Sequence, residues 1–575
     1  MLTGRPARWI LPPPLPESLL RSPLAERILW NRGVIASEDR KRFLHPGTAD
    51  LHDPMGLRDM DQAVRRLCHA IRDREEILLY GDYDVDGTTS VVILMTTLQL
   101  AGALVDYHVP HRLTEGYGMR PEVIDQAAER GVRLVVSVDT GIRAQAVVEH
   151  AKLVGIDVIV TDHHLPEQEL PPACAVVNPN RLDCTYPEKN LCGAGVTLKL
   201  VQALMLALGW PAERRARLLD SFLKLVAIAT VADVVPLTGE NRVIVRRGLD
   251  GLADVRNPGL RALLKVAGFS IGEAPTAGQV AFRVAPRINA AGRMDDARNV
   301  IEMFLTKDEN LAAEIAGKLQ DLNQDRRDTE SSIVKCIADE CERLPVTDSD
   351  GALVFSGSEW HKGVVGIVAS RVVERYHRPV FVLCEDLETG LASGSGRSVK
   401  AFHLLEALES MADLFIKFGG HRQAAGLTMR NESIPEFRRR LNLYACQRLQ
   451  PEDFCATLDV DAVLNLSDLT EAAVLDVQRL APFGFGNPPP LFVILDAEIA
   501  GASVRGERMV NVGVRQNGGR TTILTAWDWA DKLDRLLPGT RVNVALALDD
   551  RGRDGQWKAV LKDVQPVAET TRLTA

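Results

Sequence analysis

The first half of the chain alternates short apolar runs with longer stretches of helical spacing. Three of the apolar runs cover residues 77–80, 134–138 and 157–161. They are β-branched and apolar at nearly every position, which is typical of strands buried on both faces of a parallel sheet. The stretches VVILMTTLQLAGA, RPEVIDQAAERG and IRAQAVVEHAKLVG predict the intervening helices. This alternation predicts an α/β domain whose right-handed crossovers bring consecutive strand ends to one edge.

The pattern changes twice further along the chain. Residues 300–344 are polar and helix-prone, with no Pro before Pro345, and predict a long connecting helix in one or two pieces. A second α/β unit follows, with strands at ALVFSG and PVFVLCE, a helix at GVVGIVASRVVERY, and a strand and loop at LASGSGRS. After the turn-rich PFGFGNPPP, five alternating apolar and polar strands fit a β-barrel of the OB type.

The chain of 575 residues suggests about three to five domains. We predict an α/β fold with a parallel-sheet first domain, a long connecting helix, a second α/β domain and a C-terminal OB-type β-barrel. The predicted segments are an extended N-terminal arm with a short helix (1–55), the first α/β domain (56–270), a helical connector (271–345), the second α/β domain (346–450) and the OB-type domain (451–575).

The segment GDYDVDGTTS places Asp82, Asp84 and Asp86 between a predicted strand and a predicted helix. Three carboxylates this close repel one another by about 1 kcal/mol per pair even in water. An EF-hand calcium loop also begins D-x-D-x-D-G, but its twelfth position here is Ile93, where a bidentate Glu is needed. The pattern therefore favours a divalent-metal site of another kind over a solvated turn.

Two further predicted strands end in similar chemistry. Asp139 follows one of them, and Asp162, His163 and His164 follow the next. Ligands of open α/β sheets bind outside the carboxyl ends of the strands, so these clusters are expected to converge on one crevice. Their ligand types favour Mg²⁺ or Mn²⁺. If the chain is extended there, adjacent histidines point apart, which makes one a ligand and the other a supporting group or phosphate contact.

One more carboxylate, Asp233, lies at the apolar helix end LVAIATVADVVPL. It either caps the helix or needs a partner, because an unpaired carboxylate in apolar surroundings costs free energy. Neither a G-x-S-x-G elbow nor a Cys–His pairing is present to support nucleophilic catalysis by a side chain.

The formal net charge is −9, so a nucleic acid would need a local positive groove. The glycine-rich segments GSGRS and FGGHRQAAG predict loops that direct N–H groups and a guanidinium at phosphate, and Gly292 predicts a close backbone approach. Three tryptophans near the C-terminus are candidates either for base stacking or for the core: Trp527, Trp529 and Trp557. The candidate substrate contacts are Arg112, Tyr117, Arg283, Arg287, Asn289, Arg293, Ser393, Ser395, Arg397, His421 and Arg422.

The nine cysteines have no zinc-site spacing, and no uninterrupted apolar run reaches the length of a membrane span. Prolines interrupt the N-terminal segment where a signal peptide would have its apolar core. We therefore expect a cytoplasmic protein with no membrane partner.

The motifs GDYDVDGTTS, VSVDTG, TDHH and ATVADVVPL, in this order, resemble the DHH phosphoesterase superfamily. RINAAGR, GSGRS and FGGHRQAAG narrow the resemblance to the RecJ family of bacterial exonucleases, over residues 60–570. The resemblance implies a DHH domain, a DHHA1-type second domain and an OB-type domain that completes a ring around DNA. It also implies two divalent cations, Mn²⁺ or Mg²⁺, a monomer, and a RecQ-type helicase and a single-stranded-DNA-binding protein as partners.

Residue roles follow from the same resemblance. Asp139 would bridge the two ions, and Arg112, Ser395 and Arg397 would hold a 5′-phosphate. Many superfamily members have a ligand His where this chain has Tyr80, which leaves open which acids replace it. The implied metal ligands are Asp82, Asp84, Asp86, Asp139, His163 and Asp233. The implied catalytic residues are Asp84, Asp86, Asp139, His163 and His164, and the implied contacts to the DNA backbone are Arg287, Asn289 and His421.

The implied activity is two-metal-ion degradation of single-stranded DNA from 5′ to 3′ into mononucleotides, in DNA repair and recombination. One alternative is a DHH phosphodiesterase that acts on short oligonucleotides or cyclic dinucleotides. Such enzymes share the metal site and the second domain but are usually shorter and lack the C-terminal barrel. Another alternative is a scaffold that has lost catalysis, but the acids and the His pair are intact here.

Overall fold

The computed structural model describes residues 7–112, 114–116, 118–506, 509–549 and 557–567. These residues divide into two compact units. The first unit contains Val34–Asn323 and Val477–Pro489, and the second contains the described parts of Met1–Gly33, Gln324–Asp476 and Pro490–Ala575.

The first unit is built on a five-stranded sheet in which every neighbouring pair is parallel. The predicted parallel-sheet α/β domain is therefore confirmed. In spatial order the strands are Leu104–His108, Glu76–Tyr80, Leu134–Val138, Asp157–Thr161 and Ala175–Val177. The helices are Ser37–Leu44, Met60–Asp73, Val85–Leu100, Pro121–Glu129, Gln145–Leu153, Gly193–Ala207, Ala212–Ala232, Gly239–Gly251, Pro258–Val266, Ala277–Gln279, Ala285–Met294 and Arg298–Leu305, with a π-helical segment at Val280–Val284 and 3₁₀ turns at Thr48–Asp50 and Pro54–Gly56.

Both faces of this sheet are covered by apolar side chains. Successive residues of a strand point to opposite faces, so Ile77 and Leu79 join the core around the helix Val85–Leu100. Leu78 and Tyr80 join a second core, formed with the helices Pro121–Glu129 and Gln145–Leu153. This arrangement explains why the strands are apolar at consecutive positions.

The predicted polar helix is present in two pieces, Arg298–Leu305 and Glu309–Arg343. Ile315, Ala316 and Leu319 belong to the core of the first unit, as do the preceding helices from Ala277 onward. The division between the two units falls within the longer helix, after Asn323. The exact domain bounds remain a prediction.

The second unit contains a five-stranded mixed sheet. Its strands, in spatial order, are Phe415–Gly420, Ala424–Arg430, Leu391–Arg397, Val380–Asp386 and Leu353–Gly357. Only the last pair is parallel. Its helices are Leu24–Asn31, Val365–Tyr376, Leu404–Glu409, Ile434–Cys446 and Glu471–Gln478, the last of which ends across the division, and its 3₁₀ turns are Glu17–Leu19, Ala412–Leu414, Asn431–Ser433, Pro451–Phe454, Leu466–Asp468 and Leu533–Leu536.

The sequence predicts a strand and a glycine-rich loop within LASGSGRS. The strand is confirmed as the centre of this mixed sheet, but it continues to Arg397, so the loop part of the prediction is wrong. Gly394 and Gly396 are needed for packing there. A Cβ atom on Gly394 would lie 2.3 Å from the carbonyl oxygen of Val382, and one on Gly396 would lie 2.5 Å from the ring of Phe381. The glycines therefore serve close contact between strands instead of loop flexibility.

A second sheet of this unit carries the strands predicted for the OB-type domain. Its strands are Ala462–Leu464, Leu491–Arg505, Met509–Arg515, Thr522–Trp527, Lys558–Pro566 and Arg541–Asp549, in spatial order. Leu491–Arg505 also pairs with Arg541–Asp549, so each of the five longer strands has strand neighbours on both sides.

The N-terminal arm differs from the predicted extended segment with one short helix. It contains the strand Arg8–Ile10 and two helices, Leu24–Asn31 and Ser37–Leu44. The strand pairs with Thr457–Asp459, and the indole of Trp9 donates to Asp563 Oδ2 at 3.0 Å. Across the described ranges, no helix has both the length and the hydropathy required to cross a membrane.

Candidate active site

The three acids of the first motif lie between the end of the strand Glu76–Tyr80 and the first turn of the helix Val85–Leu100. Asp84 caps this helix, and its Oδ1 accepts the Gly87 N–H at 2.9 Å. Both carboxylate oxygens of Asp86 accept backbone N–H groups at the start of the next long helix, from Gly193 at 2.5 Å and from Ala194 at 2.7 Å. Asp86 is therefore fixed between two helix N-termini, where backbone amides and helix dipoles stabilise negative charge.

Asp139 follows the neighbouring strand Leu134–Val138 in a left-handed conformation, with a φ of 60°. Its backbone N–H donates to the Thr161 carbonyl at 3.0 Å, which continues the sheet by one residue. Its Oδ1 atom is buried and has no hydrogen-bond partner among the residues that the structure describes. A buried acceptor of this kind costs free energy unless another ligand reaches it.

The two histidines follow the strand Asp157–Thr161. His163 Nε2 lies 3.3 Å from Asp139 Oδ1, 3.7 Å from Asp233 Oδ2 and 3.8 Å from Asp86 Oδ2. His164 Nδ1 forms a hydrogen bond with Asp162 Oδ1, and the two atoms are 2.7 Å apart. This imidazole is thus oriented by a buried carboxylate.

The two imidazoles would point in opposite directions only in an extended chain, and the chain is not extended at these residues. Their ring centroids are 4.5 Å apart, and each ring presents a nitrogen close to Asp139. The strand ends at Thr161, so the side-chain alternation of an extended chain does not apply to His163 and His164.

Asp233 is the residue that ends the helix Ala212–Ala232, and its N–H donates to the Ala229 carbonyl. Both readings of this acid therefore hold in part. Its position is that of a helix C-cap, while its buried Oδ2 atom lies 3.7 Å from His163 Nε2 and accepts no hydrogen bond from the described part of the chain.

The carboxyls of this cluster resist ionisation. Burial, followed by the charge of Asp84, raises the pKa of Asp82 to about 8. Burial, followed by the charge of Asp86, raises the pKa of Asp233 to about 9. Burial, followed by the charge of Asp86, also raises the pKa of Asp84. The same two causes raise the pKa of Asp139 well above its ordinary value. The cluster therefore carries more acidic groups than the protein itself can neutralise.

The imidazoles differ from each other. Burial lowers the pKa of His163, which favours the neutral form that ligates metals. Burial also acts to lower the pKa of His164, but the hydrogen bond with Asp162 and the surrounding acids outweigh it and raise the pKa to about 9. For Asp162 burial acts in the opposite sense, and the bond from His164 brings its pKa below the ordinary value.

These side chains fit divalent cations. Three groups place one ligand atom from each member within 4.8 Å of the others: Asp82, Asp84 and Asp139; Asp86, His163 and Asp233; and Asp139, His163 and His164. The unpartnered oxygens of Asp139 and Asp233 and the raised carboxyl pKa values are what a pair of cations would relieve. Asp139 and His163 each belong to two of the groups, and the bridging role of Asp139 remains a prediction.

A pocket of about 280 Å³ opens over the acids. Three of the predicted substrate contacts, Arg112, Asn289 and Arg293, line it, together with Tyr83. The guanidinium of Arg112 lies over the Tyr83 ring, 4.9 Å from its centroid. Gly292 does permit a close backbone approach, since a Cβ atom there would lie 2.4 Å from the Tyr83 carbonyl oxygen.

Other candidates lie away from the pocket wall. Arg287 donates to Gln320 Oε1 at 2.8 Å and to the Arg283 carbonyl. Arg283 donates to the carbonyls of Ala267 and Gly268, so it has a structural role. Their contacts to DNA remain predictions, and Tyr117 lies outside the described residues.

The candidates of the second unit lie on its mixed sheet. Ser393, Ser395 and Arg397 alternate along the central strand and so share a face. An added Cβ on Gly366, in the helix Val365–Tyr376, would lie 3.3 Å from both Ser395 Oγ and Arg397 Nη2. His421 lies in the turn between the strands Phe415–Gly420 and Ala424–Arg430.

Sequence reasoning missed three contributors. Asp162 was noted beside the histidines but not as the group that orients His164. The Gly193 and Ala194 amides that hold Asp86 carry no side-chain signal, although a glycine at the start of an apolar helix is a weak one. Tyr83, between two acids, lines the pocket.

Three family models match the chain. The DHH family N-terminal domain matches residues 76–230, the DHHA1 domain matches 349–445 and the RecJ OB domain matches 460–561. The matches follow one another in the order predicted for the three domain types.

Curated relatives match most of the chain. A single-stranded-DNA-specific exonuclease RecJ of Bacillus subtilis is 37% identical over 535 residues, 92% of this chain and 66% of that protein. The Escherichia coli protein of the same name is 38% identical over 512 residues, 86% of this chain and 87% of that protein. The chain thus spans about two thirds of the first relative and most of the second.

A solved structure of a relative has the same fold over most of this chain. RecJ of Thermus thermophilus in complex with Mn²⁺ superposes with a TM-score of 0.80 at 31% identity, covering 97% of this chain and 79% of that one. The same protein is also known in complex with Mg²⁺, with a TM-score of 0.75. On the domain order, the extent of identity and the fold, the chain belongs to the RecJ family of single-stranded-DNA-specific exonucleases.

Proposed function

We propose that this chain is a metal-dependent exonuclease that degrades single-stranded DNA from its 5′ end to mononucleotides, in DNA repair and recombination. The observation that carries the proposal is the cluster of Asp139, His163 and Asp233. His163 Nε2 lies 3.3 Å from Asp139 Oδ1 and 3.7 Å from Asp233 Oδ2, and both of these buried oxygens lack a hydrogen-bond donor among the described residues. A cluster of this kind is costly for stability and suits a pair of divalent cations. Relatives of known structure bind Mn²⁺ and Mg²⁺.

The metal ligands in this proposal are Asp82, Asp84, Asp86, Asp139, His163 and Asp233. Divalent cations held there would polarise the phosphodiester and activate water for in-line attack, so no side-chain nucleophile is needed. Asp86 is oriented by the Gly193 and Ala194 amides, which limits its freedom before any cation binds.

His164 has a separate role in the proposal. Its Nδ1 is engaged by Asp162, and the residue lines the pocket, so its imidazole is fixed in orientation and donates to a phosphoryl oxygen of the substrate. Arg112 and Asn289 line the same pocket. In the proposal Arg112, together with Ser395 and Arg397 of the second unit, holds the 5′-phosphate, and Arg287, Asn289 and His421 contact the DNA backbone.

The test is digestion of a 5′-phosphorylated, end-labelled single strand and of its duplex, each with Mn²⁺, Mg²⁺ or EDTA. Metal-dependent release of mononucleotides from the 5′ end of the single strand alone is expected. Asp139→Asn, prepared in parallel, should lose hydrolysis and so exclude a contaminating nuclease. Cleavage confined to di- to pentanucleotides would replace the proposal with the small-substrate phosphodiesterase.

Partner proteins are proposed from family membership alone. A RecQ-type helicase would supply single strands, and a single-stranded-DNA-binding protein would keep them accessible. Stimulation of digestion of a duplex by a helicase, absent with Asp139→Asn, would test the first pairing.

A further inference from the structure

Tyr80 is fully buried at the end of the strand Glu76–Tyr80 and does not line the pocket. Its hydroxyl donates to the carbonyl oxygen of Gly118 at 3.3 Å. Gly118 lies in the loop that joins the strand Leu104–His108 to the helix Pro121–Glu129. The hydroxyl therefore joins the strand that precedes the acids to a loop from the edge strand of the sheet.

The same loop is attached at its other end. Glu115 Oε1 accepts the His111 N–H at 2.9 Å, and Glu115 Oε2 lies 3.2 Å from His108 Nε2. The His108 ring packs against the Tyr80 ring, with centroids 5.0 Å apart. Tyr80 and His108 are also register partners in adjacent parallel strands, so both attachments start from one level of the sheet.

Arg112 lies between these two attachments. It lines the pocket and extends over the Tyr83 ring, within the same unit. The Arg side chain is long, and holding it in one place costs rotamer entropy of about 2 kcal/mol. Motion of the loop backbone would add to the side-chain freedom of Arg112. Contacts that hold the loop therefore reduce the number of positions that the guanidinium can take.

We propose that Tyr80 is a positioning residue for recognition of the terminal phosphate, because its hydroxyl fixes the loop that presents Arg112 to the pocket. The inference rests on the proposed function, in which Arg112 contacts the 5′-phosphate. The position that holds a metal-binding His in many DHH proteins thus serves the substrate side of the site in this chain.

The test is Tyr80→Phe, which removes the hydroxyl and keeps the ring that packs on His108. Binding of 5′-phosphorylated and 5′-hydroxyl oligothymidylates is measured by fluorescence anisotropy in EDTA, so that no cleavage occurs. The preference for the 5′-phosphate should fall about two- to tenfold, the range for loss of one neutral hydrogen bond. Affinity for the 5′-hydroxyl strand should not change.

Two comparisons separate positioning from general damage. Tyr107→Phe removes a hydroxyl from the neighbouring strand and should leave the preference unchanged. In an Arg112→Ala background, Tyr80→Phe should have no further effect on the preference, because the group that it positions is gone. Hydrogen exchange of the backbone at residues 109–120 should be faster in Tyr80→Phe and unaltered in Tyr107→Phe.

The outcomes distinguish this inference from the function on which it rests. If Arg112→Ala lowers the phosphate preference and Tyr80→Phe leaves both the preference and the exchange unchanged, the positioning role is overturned and the proposed function stands. If Arg112→Ala has no effect on the preference, the phosphate role of Arg112 falls together with the inference. Metal-dependent digestion with its Asp139→Asn control then decides the exonuclease activity independently.

Discussion

A Cβ atom on Gly193 would lie 2.5 Å from the Oδ1 atom of Asp139. The helix Gly193–Ala207 can therefore begin beside the acid cluster only with a residue that has no side chain. We expect Gly193→Ala to displace the Asp139 carboxylate and weaken Mn²⁺ binding about 10- to 100-fold, the usual effect of disturbing groups that orient ligands. Isothermal titration with Mn²⁺ measures it.

Gly317→Ala is the matched control for that change. Nothing lies within 4 Å of a Cβ atom at Gly317, which is in the helix Glu309–Arg343. Its replacement should leave Mn²⁺ affinity unaltered and stabilise the protein by up to about 1 kcal/mol. Equal Mn²⁺ affinity in wild type and Gly193→Ala would show that the Asp139 carboxylate accommodates the added methyl group without losing its position as a ligand.

The raised carboxyl pKa values predict a pH dependence of the metal-free protein. Asp82 and Asp233 bind protons more tightly in the folded protein, with pKa values of about 8 and about 9, than in the unfolded chain. The contribution of these two carboxyls to the free energy of unfolding is therefore complete below about pH 4. It is lost as the pH rises through their folded-state pKa values of about 8 and about 9. Thermal unfolding in EDTA should show a falling midpoint from pH 6 to 9.

Manganese should reverse this trend, because it binds the ionised carboxylates. The increase in the unfolding midpoint on adding Mn²⁺ should grow as the pH rises from 6 to 9. The Asp82→Asn, Asp233→Asn double variant should flatten both curves. An increment that stays constant with pH would mean that protons and metal do not compete for these acids.

Arg397→Ala should reduce the ratio of cleavage rates for 5′-phosphate over 5′-hydroxyl strands more than it reduces cleavage of the 5′-hydroxyl strand. Arg397 ends the central strand of the mixed sheet, on the same face as Ser395. Its register partner is Ala424, whereas Arg430 pairs with Leu391 at the opposite end of the two strands. Arg430→Ala is therefore the control, and a ratio equal in both variants and wild type would exclude the assigned role.

Trp527 and Trp529 are expected to respond differently to replacement. Trp527 is 56% exposed on the OB-type sheet, whereas Trp529 is 5% exposed and lies between Lys532 and Arg535. Trp527→Ala should weaken binding of long oligothymidylates in EDTA by about 1–3 kcal/mol, the value of one stacked base, with an unchanged unfolding midpoint.

Trp529→Ala should instead lower the unfolding midpoint, because it removes buried aromatic surface. Anisotropy titration and thermal unfolding of both variants provide the measurements. Wild-type DNA affinity in Trp527→Ala would indicate that the exposed indole does not stack on bases.

The fold was predictable where periodicity is strong. The apolar run of residues 134–138 predicts its strand, and the polar, helix-prone sequence without proline predicts the long helix Glu309–Arg343. The glycine-rich segment LASGSGRS is predictable only in part, as a strand followed by a loop, because glycine-rich sequence is typical of loops. The close contacts that require Gly394 and Gly396 come from a neighbouring strand and are not visible in the local sequence. The second helix of the N-terminal arm, Ser37–Leu44, has no buried side chain and hence no apolar stripe to reveal it.

The candidate site was predictable in its side chains and not in its backbone partners. Strand-end acids and the His pair mark Asp139 and His163, because parallel strands bring their carboxyl ends together. The orientation of His164 by Asp162 depends on how the chain turns after Thr161. The amides that hold Asp86 come from a helix 107 residues away in sequence, and local patterns carry no information on them.

The hydrogen bond from Trp9 to Asp563 spans 554 positions of the chain. During synthesis, 554 residues are added after Trp9 before Asp563 exists, at roughly 5–20 residues per second. The indole must then wait about half a minute or longer before its partner exists. The parallel sheet of the first unit is complete by Val177, so its strands have most of that interval in which to pair. A chain that stops before Asp563 would therefore leave the Trp9 indole without this acceptor.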